Sequence, residues 1–128
     1  MICNICRSDA ASSFKTLDNK TYWSCNVCGC RYLDKLHFID PVEEEQRYLE
    51  HNNDIKDNEY RAFLSRLSDP LKEKISPGSN GLDFGCGTGP ALADMLTQDG
   101  FKVELYDPFF FPDEGALSKQ YDFITCTE

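Results

Sequence analysis

Long apolar runs are missing from this 128-residue sequence. No stretch approaches the ~20 consecutive apolar residues that a helix needs to span a bilayer. The N-terminal Met1-Ile2-Cys3-Asn4-Ile5-Cys6 also lacks the basic region and apolar core of a signal peptide. We therefore expect a cytoplasmic protein without membrane contact, whose 41% hydrophobic content suffices for one or two small folded domains.

Basic residues are scarce as well. Thirteen Lys and Arg stand against 22 Asp and Glu, which gives a formal net charge of −9. Binding to a phosphate backbone normally requires a basic face, and the sequence contains no Lys/Arg cluster that would form one. This balance favours a small molecule or a protein as partner and disfavours nucleic acid without excluding it.

Cysteine is the exception, since the chain has seven. In a reducing compartment cysteines serve as thiols or metal ligands rather than as disulfides. Cys3-Asn4-Ile5-Cys6 and Cys25-Asn26-Val27-Cys28 form two Cys-x-x-Cys pairs, a spacing typical of a tetrahedral four-cysteine zinc site. The sequence thus predicts a zinc ribbon over residues 1–37, a segment so small that metal binding supplies much of its folding free energy.

Cys30 offers a fifth candidate ligand beside the second pair. We prefer Cys28 because it preserves two equivalent knuckles, with Gly29 permitting the tight turn behind the second. Thr21–Ser24 and Arg31–Leu33 have the character of the short strands of such a ribbon. Two alternatives are free thiols in a loop and a redox-active Cys-x-x-Cys, although the redox motif normally occurs singly beside a βαβ unit.

A glycine-rich turn follows an apolar strand in Gly81-Leu82-Asp83-Phe84-Gly85-Cys86-Gly87-Thr88-Gly89-Pro90. Glycines at alternate positions let a ligand lie directly on the backbone, because no Cβ intervenes. The N–H groups that open a following helix carry partial positive charge and suit a polar or anionic ligand. The sequence does not match the dinucleotide-binding pattern Gly-x-Gly-x-x-Gly, whether the pattern is started at Gly85 or at Gly87. The alternative is a tight strand-to-helix turn that binds no ligand.

Asp-x-Gly-x-Gly-x-Gly instead resembles the first motif of class I S-adenosylmethionine (SAM)-dependent methyltransferases. A second feature of that family is an acid after the next strand, and Asp107 follows Lys102–Tyr106 here. The resemblance implies that Asp107 accepts hydrogen bonds from both ribose hydroxyls of SAM, above a floor of glycines. The cofactor-binding residues that it implies are Asp83, Gly85, Cys86, Gly87, Gly89, Asp107 and, before the motif, Tyr48.

Helical patterns surround these motifs. Residues 42–52 follow Pro41, a good first-turn residue, and carry Glu43, Glu44 and Glu45 near the positive end of the helix dipole. A second helix is predicted over 57–67, with a core-facing stripe of Tyr60, Phe63, Leu64 and Leu67. A third, over 90–98, buries Leu92, Met95 and Leu96 and ends before a capping Gly100. Strands are predicted over 103–106 and 121–126.

The predicted fold class is α/β, with a partial doubly wound, Rossmann-like methyltransferase sheet over 42–128 preceded by the zinc ribbon. The resemblance places Thr125 to Glu128 at the substrate end of the sheet, and His51 and Glu128 are the candidates for a catalytic base. A whole domain of this family has more strands. We therefore expect this chain to be about half of one, inactive alone, and prone to self-association through an open sheet edge.

Two functions are compatible with these features. The first is SAM-dependent methyl transfer to a small molecule or protein. The second is a zinc-ribbon module that binds protein or RNA beside a vestigial nucleotide site. Affinity for SAM distinguishes them.

Overall fold

The computed structural model describes residues 1–51 and 54–127 and divides the chain into two compact units, Met1–Glu44 and Glu45–Glu128. Among the described residues, no helix is both long and apolar enough to cross a bilayer.

The first unit contains a three-stranded antiparallel sheet of β1 (Ala11–Leu17), β2 (Lys20–Cys25) and β3 (Arg31–Leu33), in that order. Strands β2 and β3 confirm the predicted ribbon strands. Strand β1 was not predicted. It is joined to β2 by Asp18 and Asn19, whose φ angles of 49° and 60° fit the two-residue hairpin turn that matches strand twist.

Helix α1 (Pro41–Glu50) begins at Pro41, the residue predicted to open it. It ends before the predicted end at residue 52, which lies outside the described residues. The Asp40 carboxylate caps it by accepting hydrogen bonds from the backbone N–H groups of Val42 and Glu43 at 2.9 and 3.0 Å. A carboxylate in this position satisfies first-turn donors that have no partner within the helix.

The second unit contains a parallel sheet of three strands, β4 (Asn80–Phe84), β5 (Lys102–Tyr106) and β6 (Phe123–Thr125). Strand β4 is central, between β5 and β6. Helix α3 (Ala91–Gln98) connects β4 to β5, and a short 3₁₀ helix (Glu114–Ser118) lies between β5 and β6. This is the mixed α/β arrangement expected of a partial Rossmann-like sheet. The third strand is shorter than the predicted 121–126.

Helix α2 (Asn58–Lys72) packs with α3 over one side of this sheet. It runs five residues beyond the predicted end and passes through Pro70, and Leu71, the residue after the proline, packs against the core. The core itself comprises buried residues from both helices and the sheet: Leu64, Ala91, Leu92, Leu96, Phe101 and Phe123.

The predicted apolar stripe of α2 is only half correct. Leu64 is buried and Tyr60 packs against the core, but Phe63 and Leu67 are 47% and 39% exposed. These two side chains instead line a surface hollow of about 300 Å³ that Thr127 also borders.

The end of α3 follows the prediction. Gly100 adopts φ 91°, its N–H donates to the carbonyl of Thr97, and the N–H of Phe101 donates to the carbonyl of Leu96. These two bonds form a Schellman cap, which glycine favours because it has no Cβ. The cap directs the chain straight into β5.

Candidate functional site

The four paired cysteines come together in the first unit. The sulfur atoms of Cys3, Cys6, Cys25 and Cys28 all lie within 4.8 Å of one another, a grouping suited to a metal ion. The Sγ atoms of Cys3 and Cys28 are 3.7 Å apart, and those of Cys6 and Cys25 are 3.6 Å apart. A tetrahedral zinc with Zn–S bonds of about 2.3 Å requires sulfurs about 3.8 Å apart. The donor set and its spacing therefore fit zinc.

Two equivalent turns create this cluster. The backbone N–H of Ile5 donates to Cys3 Sγ and that of Val27 donates to Cys25 Sγ, both at 3.4 Å. Behind each pair the chain passes through a left-handed residue, Arg7 at φ 62° in the first turn and Gly29 at φ 73° in the second. Each of these residues donates its N–H to the carbonyl of the first cysteine, at 3.1 and 2.9 Å.

Ser8 and Cys30 occupy matching positions in the two turns. The carbonyl of Ser8 accepts from the N–H of Cys3 at 2.8 Å, and that of Cys30 accepts from the N–H of Cys25 at 2.9 Å. Their side chains differ. The Ser8 hydroxyl lies 3.2 Å from Cys6 Sγ and 3.3 Å from Cys25 Sγ, whereas the Cys30 thiol points to the carbonyl of Arg31 at 3.7 Å.

Sequence reasoning missed Ser8. A hydroxyl that donates to a thiolate stabilises the charged form. The Ser8 hydroxyl, followed by the backbone N–H groups of Cys28 and Val27, lowers the pKa of Cys25 to about 6. The signal available in the sequence was the matching spacing of Cys6-Arg7-Ser8 and Cys28-Gly29-Cys30.

The glycine turn lies at the carboxyl end of β4 in the second unit. Gly85 and Gly87 adopt φ angles of 72° and 68°, which residues other than glycine rarely adopt. A Cβ added at either position would meet no atom within 4 Å, so the space above both glycines is open to a ligand. Gly89 is buried, and its carbonyl accepts the N–H of Ala91 at the start of α3.

Asp107 lies beside this turn with only 7% of its surface exposed. Its Oδ2 accepts a hydrogen bond from the N–H of Gly87 at 3.0 Å. Its Oδ1 accepts from the N–H groups of Phe109 and Phe110 at 2.9 and 3.1 Å. The carboxylate thus fixes both the glycine turn and the loop after β5.

These three bonds limit what Asp107 still offers a ligand. A carboxylate has about four lone-pair positions, so one acceptor position on Oδ2 is left beside the bond from Gly87. The prediction that Asp107 accepts from both ribose hydroxyls stays a prediction. The geometry best accommodates one direct bond to the carboxylate.

Asp83 is almost completely buried, at 2% exposure, within β4. Its Oδ1 accepts a hydrogen bond from the Thr125 hydroxyl of β6 at 2.8 Å. Burial raises the pKa of Asp83, and the bond from Thr125 opposes that shift. Burial also raises the pKa of Cys86, in the glycine turn, to about 12, with further contributions from the carboxylates of Asp83 and Asp107. Cys86 is therefore a neutral thiol at neutral pH.

Tyr48 and His51 lie near the loop that Asp107 organises. The Tyr48 ring is 6.2 Å from the ring of Phe109 and 6.1 Å from that of His51, in an edge-on arrangement with the latter. The structure thus connects Tyr48 to the Asp107 loop through Phe109. Glu128, the other candidate base, lies outside the described residues.

Comparison with known families supports this description. A family model described as a methyltransferase domain matches residues 30–128, and the chain therefore belongs to that methyltransferase family. Neither a curated protein nor a solved structure matches the chain.

Proposed function

We propose that the chain binds SAM at the glycine turn of its methyltransferase domain and serves methyl transfer to a small-molecule or protein acceptor. The observation that carries the proposal is the hydrogen bond from the N–H of Gly87 to Asp107, in a turn whose glycines face unoccupied space. Gly85 and Gly87, both in the left-handed backbone conformation, leave room for a ligand, and the buried carboxylate of Asp107 holds the turn in place. The residues proposed to contact the cofactor are those named above: Asp83, Gly85, Cys86, Gly87, Gly89, Asp107 and Tyr48.

The chemistry of this reaction belongs mainly to the cofactor. SAM carries a methyl group on a sulfonium, which is already reactive toward a nucleophile, so the protein's contribution is alignment and exclusion of water. Gly87 and Gly85 supply a backbone floor, and Asp107 supplies a hydrogen-bond acceptor. His51 is the described candidate for a proton acceptor at the nucleophile.

The first unit is proposed to be a structural zinc centre held by Cys3, Cys6, Cys25 and Cys28. Four cysteine ligands leave no open coordination position, which is typical of structural rather than catalytic zinc. The zinc would supply folding free energy to the ribbon, whose only buried hydrophobic residues within its described range are Cys3 and Cys25.

A thermal-shift comparison tests the cofactor proposal. SAM and its demethylated product S-adenosylhomocysteine should each raise the melting temperature of the chain, because a ligand that binds only the folded state stabilises it. Methionine and adenosine, supplied separately at the same concentration, should raise it far less. Equal shifts with adenosine alone would favour the alternative, a binding module with a vestigial nucleotide site.

A further inference from the structure

The ribbon unit contains a cavity that the proposed zinc and SAM sites do not use. It has a volume of about 370 Å³, within the range of small-ligand pockets. Its lining includes two aromatic residues, two cations and an acid: Trp23, Tyr32, Arg7, Lys35 and Asp34.

The wall of this cavity is aromatic. Trp23 of β2 and Tyr32 of β3 are directly paired neighbours across the antiparallel strands, so both side chains point to the same face of the sheet. The indole N–H of Trp23 donates to Asp34 at 2.8 Å, which fixes the ring. Aromatic side chains held in this way offer a stacking surface to a planar ligand.

Two basic side chains, Arg7 and Lys35, border the cavity. Asp34 borders the cavity as well, but it is only 9% exposed and each of its oxygens already accepts a hydrogen bond, one from the indole of Trp23 and one from the N–H of Leu36 at 3.0 Å. Arg7 and Lys35 are exposed and form no salt bridge with any residue that the structure describes. Hydrogen bonds from Leu36 and Trp23 lower the pKa of Asp34, so this carboxylate stays charged, and the two cations still leave an excess of positive charge that favours an anionic group.

Arg7 carries the strongest indication of function. It adopts φ 62° at the position that Gly29 occupies in the equivalent turn, where glycine has no steric cost. An arginine there is strained, and such strain is concentrated at functional sites. Arg7 also borders the cavity, so the same residue lines a possible ligand site while its backbone completes the metal turn.

We propose that this cavity binds a nucleotide unit, with its base stacked on Trp23 and Tyr32 and its phosphate held by Arg7 and Lys35. Guanidinium binds phosphate through two parallel hydrogen bonds, and an aromatic face accepts any base. The unit is either a free mononucleotide or part of a short single strand. The chain's net charge of −9 opposes a long polyanion.

Ligand binding at the cavity can be measured by the fluorescence of Trp23, which is the single tryptophan in the chain. AMP should change its fluorescence in the zinc-loaded protein, whereas adenosine and inorganic phosphate should each bind at least tenfold more weakly. If a five-nucleotide RNA binds more tightly than AMP, the natural ligand is a nucleotide within a single strand. Equal or weaker RNA binding identifies the free nucleotide.

Variants separate this site from the proposed SAM site. Arg7→Gly should keep one zinc, melt at the same or a higher temperature, and lose at least tenfold in AMP affinity. Lys35→Met should weaken AMP as well, while Arg31→Met should not, since Arg31 stacks on Phe14. Gly87→Val, which blocks the proposed SAM site, should keep the Trp23 response. Unchanged AMP affinity in both Arg7→Gly and Lys35→Met, or no response to AMP or RNA in the zinc-loaded wild type, would overturn the proposal.

Discussion

The N–H of Gly87 donates a hydrogen bond of 3.0 Å to the carboxylate of Asp107, across the two loops that leave neighbouring parallel strands. The two residues are 20 positions apart and belong to separate motifs of the sequence. Their contact joins the glycine turn to the acid, so a change in one alters the geometry of the other.

Asp107→Asn separates the structural role of this acid, which holds the loop after β5, from its proposed role as a hydrogen-bond acceptor for SAM. The asparagine Oδ1 can still accept from Phe109 and Phe110, but its Nδ2 faces the Gly87 N–H as a second donor. Charge-assisted bonds contribute about 1.5–3 kcal/mol each, so we expect SAM affinity to fall at least tenfold with the fold kept. Calorimetry and circular dichroism measure these two effects. Asp113→Asn is the matched control, because Asp113 forms a similar turn with Gly115 at an exposed site. Equal SAM affinity in both variants would show that Asp107 does not serve the ligand.

Asp83→Asn should raise the stability of the folded chain at neutral pH. Burial raises the pKa of Asp83, so ionisation of this carboxylate destabilises the folded state. The protonated carboxyl of Asp83 contributes stability. This contribution is complete below the unfolded pKa of about 3.9 and is lost as the pH rises through the higher pKa of the folded state. The variant, which keeps an acceptor for Thr125, should therefore melt several degrees above wild type at pH 7 and at nearly the same temperature at pH 3. A constant difference across that range would contradict a role for ionisation.

Metal content tests the cysteine cluster. Protein purified without added zinc should contain about one equivalent, and Cys25→Ser should lose it while Cys30→Ser keeps it. The Cys30 thiol lies outside the cluster and contacts the carbonyl of Arg31. Loss of metal in Cys30→Ser, with retention in Cys28→Ser, would show that the ligand assignment is wrong.

Ser8→Ala should weaken metal binding without preventing it. Partners of metal ligands typically contribute 10–100-fold in affinity, and the Ser8 hydroxyl contacts two of the four sulfurs. Competition with a chromophoric chelator measures the loss, and the cobalt-substituted protein should show a shifted sulfur-to-metal charge-transfer band. Cys30→Ala changes the equivalent position of the other turn and should behave as wild type. Identical chelator curves for the two variants would exclude an effect of the hydroxyl.

Self-association through the parallel sheet is a further prediction. Among the described residues, β6 lies at an edge of this sheet, and Ile124 is 64% exposed on it. Exposed edges with apolar side chains pair readily with other chains. Light scattering should show a mass that rises with concentration, and Ile124→Lys should reduce it. A monomer at all concentrations would contradict this prediction.

Local motifs were predicted well because their spacing determines their geometry. Two Cys-x-x-Cys pairs fix two knuckles, Pro41 opens α1, and Gly100 ends α3. Strand β1 was missed because Ala11–Leu17 has few apolar residues, although Asp18-Asn19 is a good hairpin turn. The bonds that Asp107 and Ser8 make could not be predicted, because both depend on which loops the folded chain brings together.

The most direct test of SAM binding is a calorimetric titration of the zinc-loaded chain with SAM, alongside Gly87→Val. We predict saturable binding at one equivalent for the wild type and none for the variant, because the valine side chain would occupy the open space above a left-handed position. Equal binding by the two proteins, or none by the wild type, would contradict a SAM site at the glycine turn.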